Sequence, residues 1–200
     1  MTYDEVPELH LITPVANLPS ILEHGVLSNH LARRLAPDAA SVARADIQEG
    51  REAKRVPGGR PLHAYANLYF HARNPMMYLR KEEHEGLCVL SVHKAVLTEE
   101  GVVVTDQNAA SDYARFAPSP DGLRLLDRAM VYAEDWRHDD RRDYFRHRSV
   151  KCAEALVPDR VRPEAVRGVY VSCEAARARV EALVSGALRV KVSPPLFFQS

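Results

Sequence analysis

Three cysteines in 200 residues, odd in number and nowhere spaced as CxxC, supply neither a disulfide framework nor a zinc site. Cys88, Cys152 and Cys173 read instead as buried thiols of a reducing cytosol. Net charge is missing too: 27 basic residues meet 27 acidic ones, so nothing advertises a chain-wide polyanion coat. No apolar run approaches the length of a membrane span. The opening residues MTYDEVPELH lack the apolar core of a signal peptide. The expectation is a soluble, cytoplasmic protein with no membrane partner. Repeats and low-complexity tracts are absent. So are a Walker A loop, a GxGxxG fingerprint, HExxH and GxSxG.

What is present is a chain with 46% hydrophobic residues, enough for one substantial core and, by length, a single domain over 1–200. The charge is unevenly spread. Residues 31–60 hold seven Arg/Lys against four acids, and 137–151 hold six against three. Two basic patches on a neutral chain suit a local anionic ligand.

Strand-like runs occur at Leu9–Thr13, Tyr65–Phe70, Leu87–Val92, Val102–Thr105, Lys151–Val157, Val169–Cys173 and Leu188–Val192. Helical patterns lie at Pro75–Arg80, Asp121–Glu134, Asp139–Arg146 and Cys173–Val184, with another at about Ser41–Arg51. In Asn17-Leu-Pro-Ser-Ile-Leu-Glu-His-Gly25, Asn17 suits a helix cap, Pro19 the first turn and Gly25 the end. Residues 29–60 form a long, Arg-rich connection closed by Pro57-Gly58-Gly59, and such loops are often functional. Strands dominate and helices interrupt them without a βαβ rhythm, so the fold class is α+β.

Glu154 stands out. It sits in the apolar run KCAEALV, where alternation puts it on one face with Cys152 and Leu156, and Ala153, Ala155 and Val157 on the other. An unpaired buried carboxylate costs several kcal/mol, so Glu154 is paired, protonated or facing a cleft. The bland reading is an ion pair with Arg51 or Arg148. A nucleophilic role for Cys152 is the weaker idea, because a thiol in a buried strand is inert.

Four segments carry a family resemblance when taken in order. They are His10-Leu-Ile-Thr13 with Asn17-Leu-Pro-Ser-Ile-Leu; Ile47-Gln-Glu-Gly-Arg51; Leu68 to Tyr78 (LYFHARNPMMY); and Lys151 to Pro158 (KCAEALVP). Together, and nearly end to end, they resemble the DarT-type DNA ADP-ribosyltransferase toxins. The resemblance implies an ADP-ribosyltransferase fold, a split β-sheet clasping NAD, and transfer of ADP-ribose to a DNA base. Glu154 matches the catalytic glutamate and Arg51 the second essential residue. NAD contacts are implied for His10, Leu11, Ile12 and Thr13 of the first strand, for Asn17, Ser20 and Ser28 beyond it, and for Arg51, Tyr69 and Met76. One departure is plain: leucine occupies position 11, where histidine is usual in the family. His10, one position earlier, faces the other side of a regular strand and replaces that ring only if the strand bulges.

Glu154 is a sensible catalyst, because a carboxylate beside the ribose stabilises the oxocarbenium charge and accepts a proton from the incoming base, so the resemblance implies a carboxylate facing a cleft in preference to the ion pair. Arg51 has the planar fork suited to a pyrophosphate, although an arginine is by default a surface charge. The stripe Tyr69, Phe70, Met76, Met77, Tyr78 is by default core. Asn108, Ser111, Tyr113 and Arg115 lie where the family's substrate loop begins and suit an unstacked base and its phosphate. Arg141, Arg142, Arg146, Arg148 and Lys151 suit a phosphate track. The resemblance therefore implies single-stranded DNA as substrate, with guanine favoured over thymine. It also implies a cognate antitoxin hydrolase as partner. Transfer to RNA or protein, and a non-catalytic NAD- or nucleic-acid-binding module, are the rival readings.

Overall fold

The computed structural model describes residues 1–37 and 50–200. Along them run β1 (Leu9–Pro14), α1 (Leu18–His24), β2 (Val26–Leu27) and α2 (Asn29–Leu35). Then come β3 (Tyr65–Tyr69), α3 (Pro75–Leu79), β4 (Leu87–Val92), β5 (Val103–Thr105) and β6 (Phe116–Pro118). The C-terminal part holds α4 (Arg128–Val131), α5 (Arg141–Val150), β7 (Glu154–Pro158), β8 (Arg160–Val161), β9 (Val166–Val171), α6 (Glu174–Val184) and β10 (Arg189–Val192). The expected helix over Ser41–Arg51 lies mostly outside the described residues, of which 50–52 are helical.

Among the described residues eight strands form one sheet in the order β10-β9-β4-β1-β3-β7-β5-β6, and β2 pairs with β8 in a small second one. Every pairing in the large sheet is antiparallel except β9 with β10. The sheet has a seam. Leu9 through Pro14 all find partners on β4, and Tyr65 through Tyr69 all find partners on β7. Between β1 and β3 only His10 and Tyr69 are in register. The expected split sheet is thus two four-stranded halves hinged on one residue pair.

Strand alternation assigns the faces. Ala66, Leu68, Phe70, Val104, Ala153, Ala155 and Val157 turn into the main core, covered by Leu18 and Ile21 of α1 and by α6. Helix α6 presents Ala176, Val180 and Val184 at four-residue spacing, one stripe buried against the sheet. Each fully buried Val or Leu side chain contributes about 1.5–3 kcal/mol. On the opposite face His10, Tyr69, Glu154 and Thr105 form one cross-strand row. Ile12, Tyr69, Met77 and Cys152 cluster on that side, as do Tyr65 and Leu156.

Several sequence expectations shift. Lys151 and Cys152 close the end of α5 in a turn, so the strand begins at Glu154. The single helix expected over Asp121–Glu134 is a 3-10 turn at Asp121–Leu125 and then α4. Leu126 is extended between them, and Asp127 caps a new start by accepting from the Met130 N–H at 3.1 Å. Helix α2 was not anticipated. Ser28 caps it, accepting from the Leu31 N–H at 3.3 Å. Asn17 precedes α1 but does not cap it with its side chain; its Nδ2 donates to Thr13 Oγ1 at 3.1 Å. Gly25 does end α1, at φ +80° and ψ −170°. A Cβ there would lie 2.0 Å from the Val161 carbonyl oxygen, which only glycine avoids.

Candidate active site

Glu154 leads β7 and is 1% exposed. Its Oε1 accepts from Arg51 Nη1 at 3.1 Å and from the backbone N–H of Ala109 at 3.0 Å. Its Oε2 is buried with no hydrogen-bond partner among the described residues. The backbone is pinned as well: the Glu154 N–H donates to Thr105 Oγ1 at 3.2 Å, and that hydroxyl donates to the Gln107 carbonyl at 2.6 Å. Of the readings offered by sequence, the ion pair with Arg51 is the arrangement present. Arg148 is not the partner.

Arg51 is itself 8% exposed, so this is a buried pair. Burial works against its charge, but the Glu154 carboxylate outweighs burial and holds the guanidinium above its ordinary pKa. Tyr69, opposite Glu154 on β3, has a hydroxyl pKa pushed well up by burial and then by the same carboxylate, so it stays protonated. Behind Arg51, burial and then the guanidinium charge lower the His63 pKa.

The loop 106–115 leaves β5 and returns into β6, placing Ala109 over the glutamate. Internal bonds shape it. Asn108 Oδ1 accepts from the Ala110 N–H at 2.9 Å, and Ser111 Oγ accepts from the Tyr113 N–H at 3.2 Å. Asp106 takes the Arg115 backbone N–H at 2.9 Å and its Nε at 2.6 Å. Lys54, three residues beyond Arg51, donates to Asp112 Oδ1 at 2.8 Å and also to the Ala110 carbonyl, tying the arginine segment to the loop.

A cavity of about 220 Å³ lies alongside, lined by Tyr69, Met76, Leu79, Asn108, Phe145, Arg148 and Cys152. Glu154 does not line it, being capped by Ala109 and Arg51. A second cavity of about 320 Å³ brings Tyr113, Arg115 and Arg146 together with Gln107. Five expected DNA contacts, Asn108, Tyr113, Arg115, Arg146 and Arg148, thus border cavities. Ser111 serves the loop turn.

Lys151 does not join the phosphate track. It is 1% exposed, and its Nζ donates to the Val131 and Ala133 carbonyls at 3.0 and 2.6 Å and meets His71 Nδ1 at 2.9 Å. The short turn after α5 points this side chain inward, where three acceptors use its three donors. Burial lowers its pKa to about 8.

On β1, His10 and Leu11 alternate in a regular ladder with β4, without a bulge. The His10 ring therefore does not replace a ring at position 11. It shares the face of Tyr69 and Glu154, is 5% exposed, and meets Glu8 Oε1 through Nε2 at 3.2 Å. Ile12 belongs to the apolar cluster with Tyr69, Thr13 is buried beside Asn17, and Ser20 is half-buried on α1. Of the aromatic and Met stripe, Phe70 and Met77 are fully buried, whereas Tyr78 is 47% exposed. Cys88 and Cys152 are buried free thiols, each pushed by burial up to about 12. A nucleophilic Cys152 has no support in that environment.

Thr105, Ala109 and Lys54 were missed by sequence reasoning. Ala109 acts through its backbone, which no side-chain pattern can announce. Thr105 needs the β5–β7 register, where it faces Glu154.

Comparison with known proteins decides the family. A family model described as "ssDNA thymidine ADP-ribosyltransferase, DarT" matches residues 10–198. The chain belongs to the DarT family. A DarT relative from Thermus sp. (strain 2.9), a DNA ADP-ribosyl transferase, is 35% identical over 149 residues, 68% of this chain and 69% of the relative. A fusion protein of Thermosipho africanus (strain H17ap60334) combines a DNA ADP-ribosyl transferase with a DNA ADP-ribosyl glycohydrolase. It is 29% identical over 195 residues, 96% of this chain, and the chain spans 49% of its length. The Thermus sp. 2.9 DarT structure in complex with ADP-ribosylated ssDNA superposes with a TM-score of 0.84 at 25% identity, covering 98% of this chain and 99% of that one. The α+β split sheet is accordingly the DarT ADP-ribosyltransferase fold. Among the described residues, no helix is long and apolar enough to cross a membrane.

Proposed function

We propose that this DarT family member transfers ADP-ribose from NAD to a base in single-stranded DNA, with Glu154 as catalytic carboxylate. The observation that carries this reading is the Glu154 carboxylate itself. Its Oε1 is held by Arg51 and the Ala109 N–H while Thr105 pins the backbone beneath it, and its Oε2 is a buried acceptor without a donor among the described residues. A ribose hydroxyl is a donor that suits it.

The chemistry follows from that placement. The bond between nicotinamide and ribose breaks, and nicotinamide leaves with the bonding electrons. The anomeric carbon takes on oxocarbenium character, which the fixed anionic carboxylate stabilises. A base nitrogen supplies its lone pair to the anomeric carbon, and Glu154 receives the proton that nitrogen loses. Arg51 holds the carboxylate in place before substrate arrives. Its fork suits a phosphate oxygen near the same position.

Single-stranded DNA is supported by the loop 106–115 and by the exposed Arg141, Arg142 and Arg146 of α5, which offer phosphate contacts beside the site. The Thermus complex is of ADP-ribosylated ssDNA, in keeping with that substrate. The wording around LYFHARNPMMY favours guanine, while the family model is described by thymidine. The Thermosipho fusion supports a toxin paired with a hydrolase that removes the mark.

The test is mass spectrometry of oligonucleotides, each with one kind of base, incubated with protein and NAD in single- and double-stranded form. Addition of ADP-ribose to the single strand alone is the expected result, and the labelled base distinguishes guanine from thymine. Labelling of RNA or protein in place of DNA would overturn the proposal.

A further inference from the structure

The Glu154 carboxylate has two oxygens in unequal surroundings: Oε1 takes two donors, and Oε2 takes none among the described residues. The terminal torsion of a glutamate is soft and roughly two-fold, so the donors around it decide which oxygen stays free. One of those donors, the Ala109 N–H, belongs to a loop and must itself be held. We propose that Thr105 is a positioning residue for the catalytic carboxylate, its hydroxyl fixing the backbone that presents the Ala109 N–H. The inference rests on Glu154 being that catalytic carboxylate.

The hydroxyl stands where β5 ends and the loop begins. Thr105 is the last residue of β5, lies opposite Glu154 in the β5–β7 ladder and is fully buried. A hydroxyl has a single proton to donate. It goes to the Gln107 carbonyl at 2.6 Å rather than to the Glu154 carbonyl, which is 3.5 Å away. A lone pair of the same oxygen accepts the Glu154 N–H at 3.2 Å. One side chain therefore holds the backbone of the glutamate and the backbone of the loop that covers it. Branching at Cβ restricts the torsion of threonine, which keeps the hydroxyl aimed between the two.

The peptide unit between Gln107 and Asn108 is gripped at both edges. Its carbonyl takes the Thr105 proton, and its N–H donates to the Ser149 carbonyl at 3.0 Å. A peptide unit is planar, so these two bonds orient the start of the next unit, whose N–H is that of Ala109. That N–H then meets Glu154 Oε1 at 3.0 Å. A ring closes: the Glu154 N–H to Thr105, Thr105 to Gln107, and Ala109 back to the Glu154 carboxylate. Ser149 braces it, since its carbonyl also receives the Cys152 N–H, two residues before the glutamate. Removing the Thr105 hydroxyl opens this ring without touching the carboxylate.

The experiment measures kcat and the KM for NAD of the full chain on a single-stranded oligonucleotide. Thr105→Val keeps the shape of the side chain and removes the hydroxyl. It should lower kcat on the order of 10²-fold, the scale of a small misplacement of a catalytic group. The KM for NAD should stay close to wild type, because the loss falls on the transition state. Thr105→Ser, which keeps the hydroxyl and drops the methyl group, should recover most of kcat. Adding Thr105→Val to Glu154→Gln should slow residual transfer little further, since residues that act as a unit are non-additive. If Thr105→Val shows no cooperative thermal unfolding, Thr105→Cys takes its place with the same expectations, being close in size and only a weak donor. Wild-type kcat in the valine variant, a serine variant as slow as the valine one, or a full additional loss on top of Glu154→Gln would each overturn the role of Thr105. Glu154 would keep its own role in all three cases. Undiminished transfer by Glu154→Gln would instead remove the reading on which the inference rests.

Discussion

Arg51 and Glu154, 103 positions apart in sequence, meet at 3.1 Å in a pocket that leaves the carboxylate 1% exposed. The pair is isolated from solvent, so each partner leaves the other stranded if removed. That makes the site as much a stability element as a catalytic one.

Glu154→Gln should reduce transfer by on the order of 10² to 10⁴. The amide oxygen can still accept from Arg51 and Ala109, so the fold should survive, as far-ultraviolet circular dichroism would show. Wild-type turnover in this variant would remove Glu154 from the chemistry.

Arg51→Ala should unfold at lower urea concentration, because a buried carboxylate without its partner costs roughly 3–5 kcal/mol. Arg51→Lys should recover part of that stability and less of the activity, since a point charge lacks the fork. Equal urea midpoints for wild type and Arg51→Ala would contradict the buried pair.

Replacing Lys151 with methionine should destabilise the fold, because the Val131 and Ala133 carbonyls lose their shared donor. The salt dependence of DNA binding should not change, in contrast to Arg146→Ala, which should reduce the slope by about 1. Fluorescence anisotropy at several salt concentrations separates the two.

Glu8 supplies a pH dependence. Burial pushes its carboxyl up, but hydrogen bonds from His10, Ser91 and Tyr170 outweigh burial and bring the pKa to about 2. The folded value lies below the ordinary 4.5, so the stabilisation is present above pH 4.5 and lost as pH falls towards 2. Glu8→Gln should therefore lose less stability than wild type between those limits. Urea midpoints at pH 6, 4 and 3 would reveal it, and parallel curves would refute it.

Gly25→Ala should cost on the order of 1–3 kcal/mol from backbone strain alone, since φ +80° with ψ −170° is a glycine conformation. The collision with the Val161 carbonyl adds to that. A melting temperature equal to wild type would show that β8 can move aside.

Much of this was legible in sequence where a pattern has a period. Leu87–Val92 was read to the residue, and the alternation of Cys152, Glu154 and Leu156 against Ala153, Ala155 and Val157 gave the right faces. Arg51 and Glu154 were both singled out, and their direct pairing stood among the alternatives. Lys151 was misread because lysine in a basic cluster looks like surface, and only the turn after α5 sends it inward. Helix α2 was hidden in an Arg-rich stretch with no buried residue to mark a face. The role of Ala109 is a backbone role and leaves no trace in residue type.

The seam between β1 and β3 has a topological consequence. By ladder hydrogen bonds it is the weakest line in the sheet, with His10 and Tyr69 alone in register. By covalent connection it is the strongest. The chain passes from one half to the other between β1 and β3, β3 and β4, β4 and β5, and β7 and β9, which makes four crossings. The two halves are laced like the sides of a boot: no single rupture lets them part.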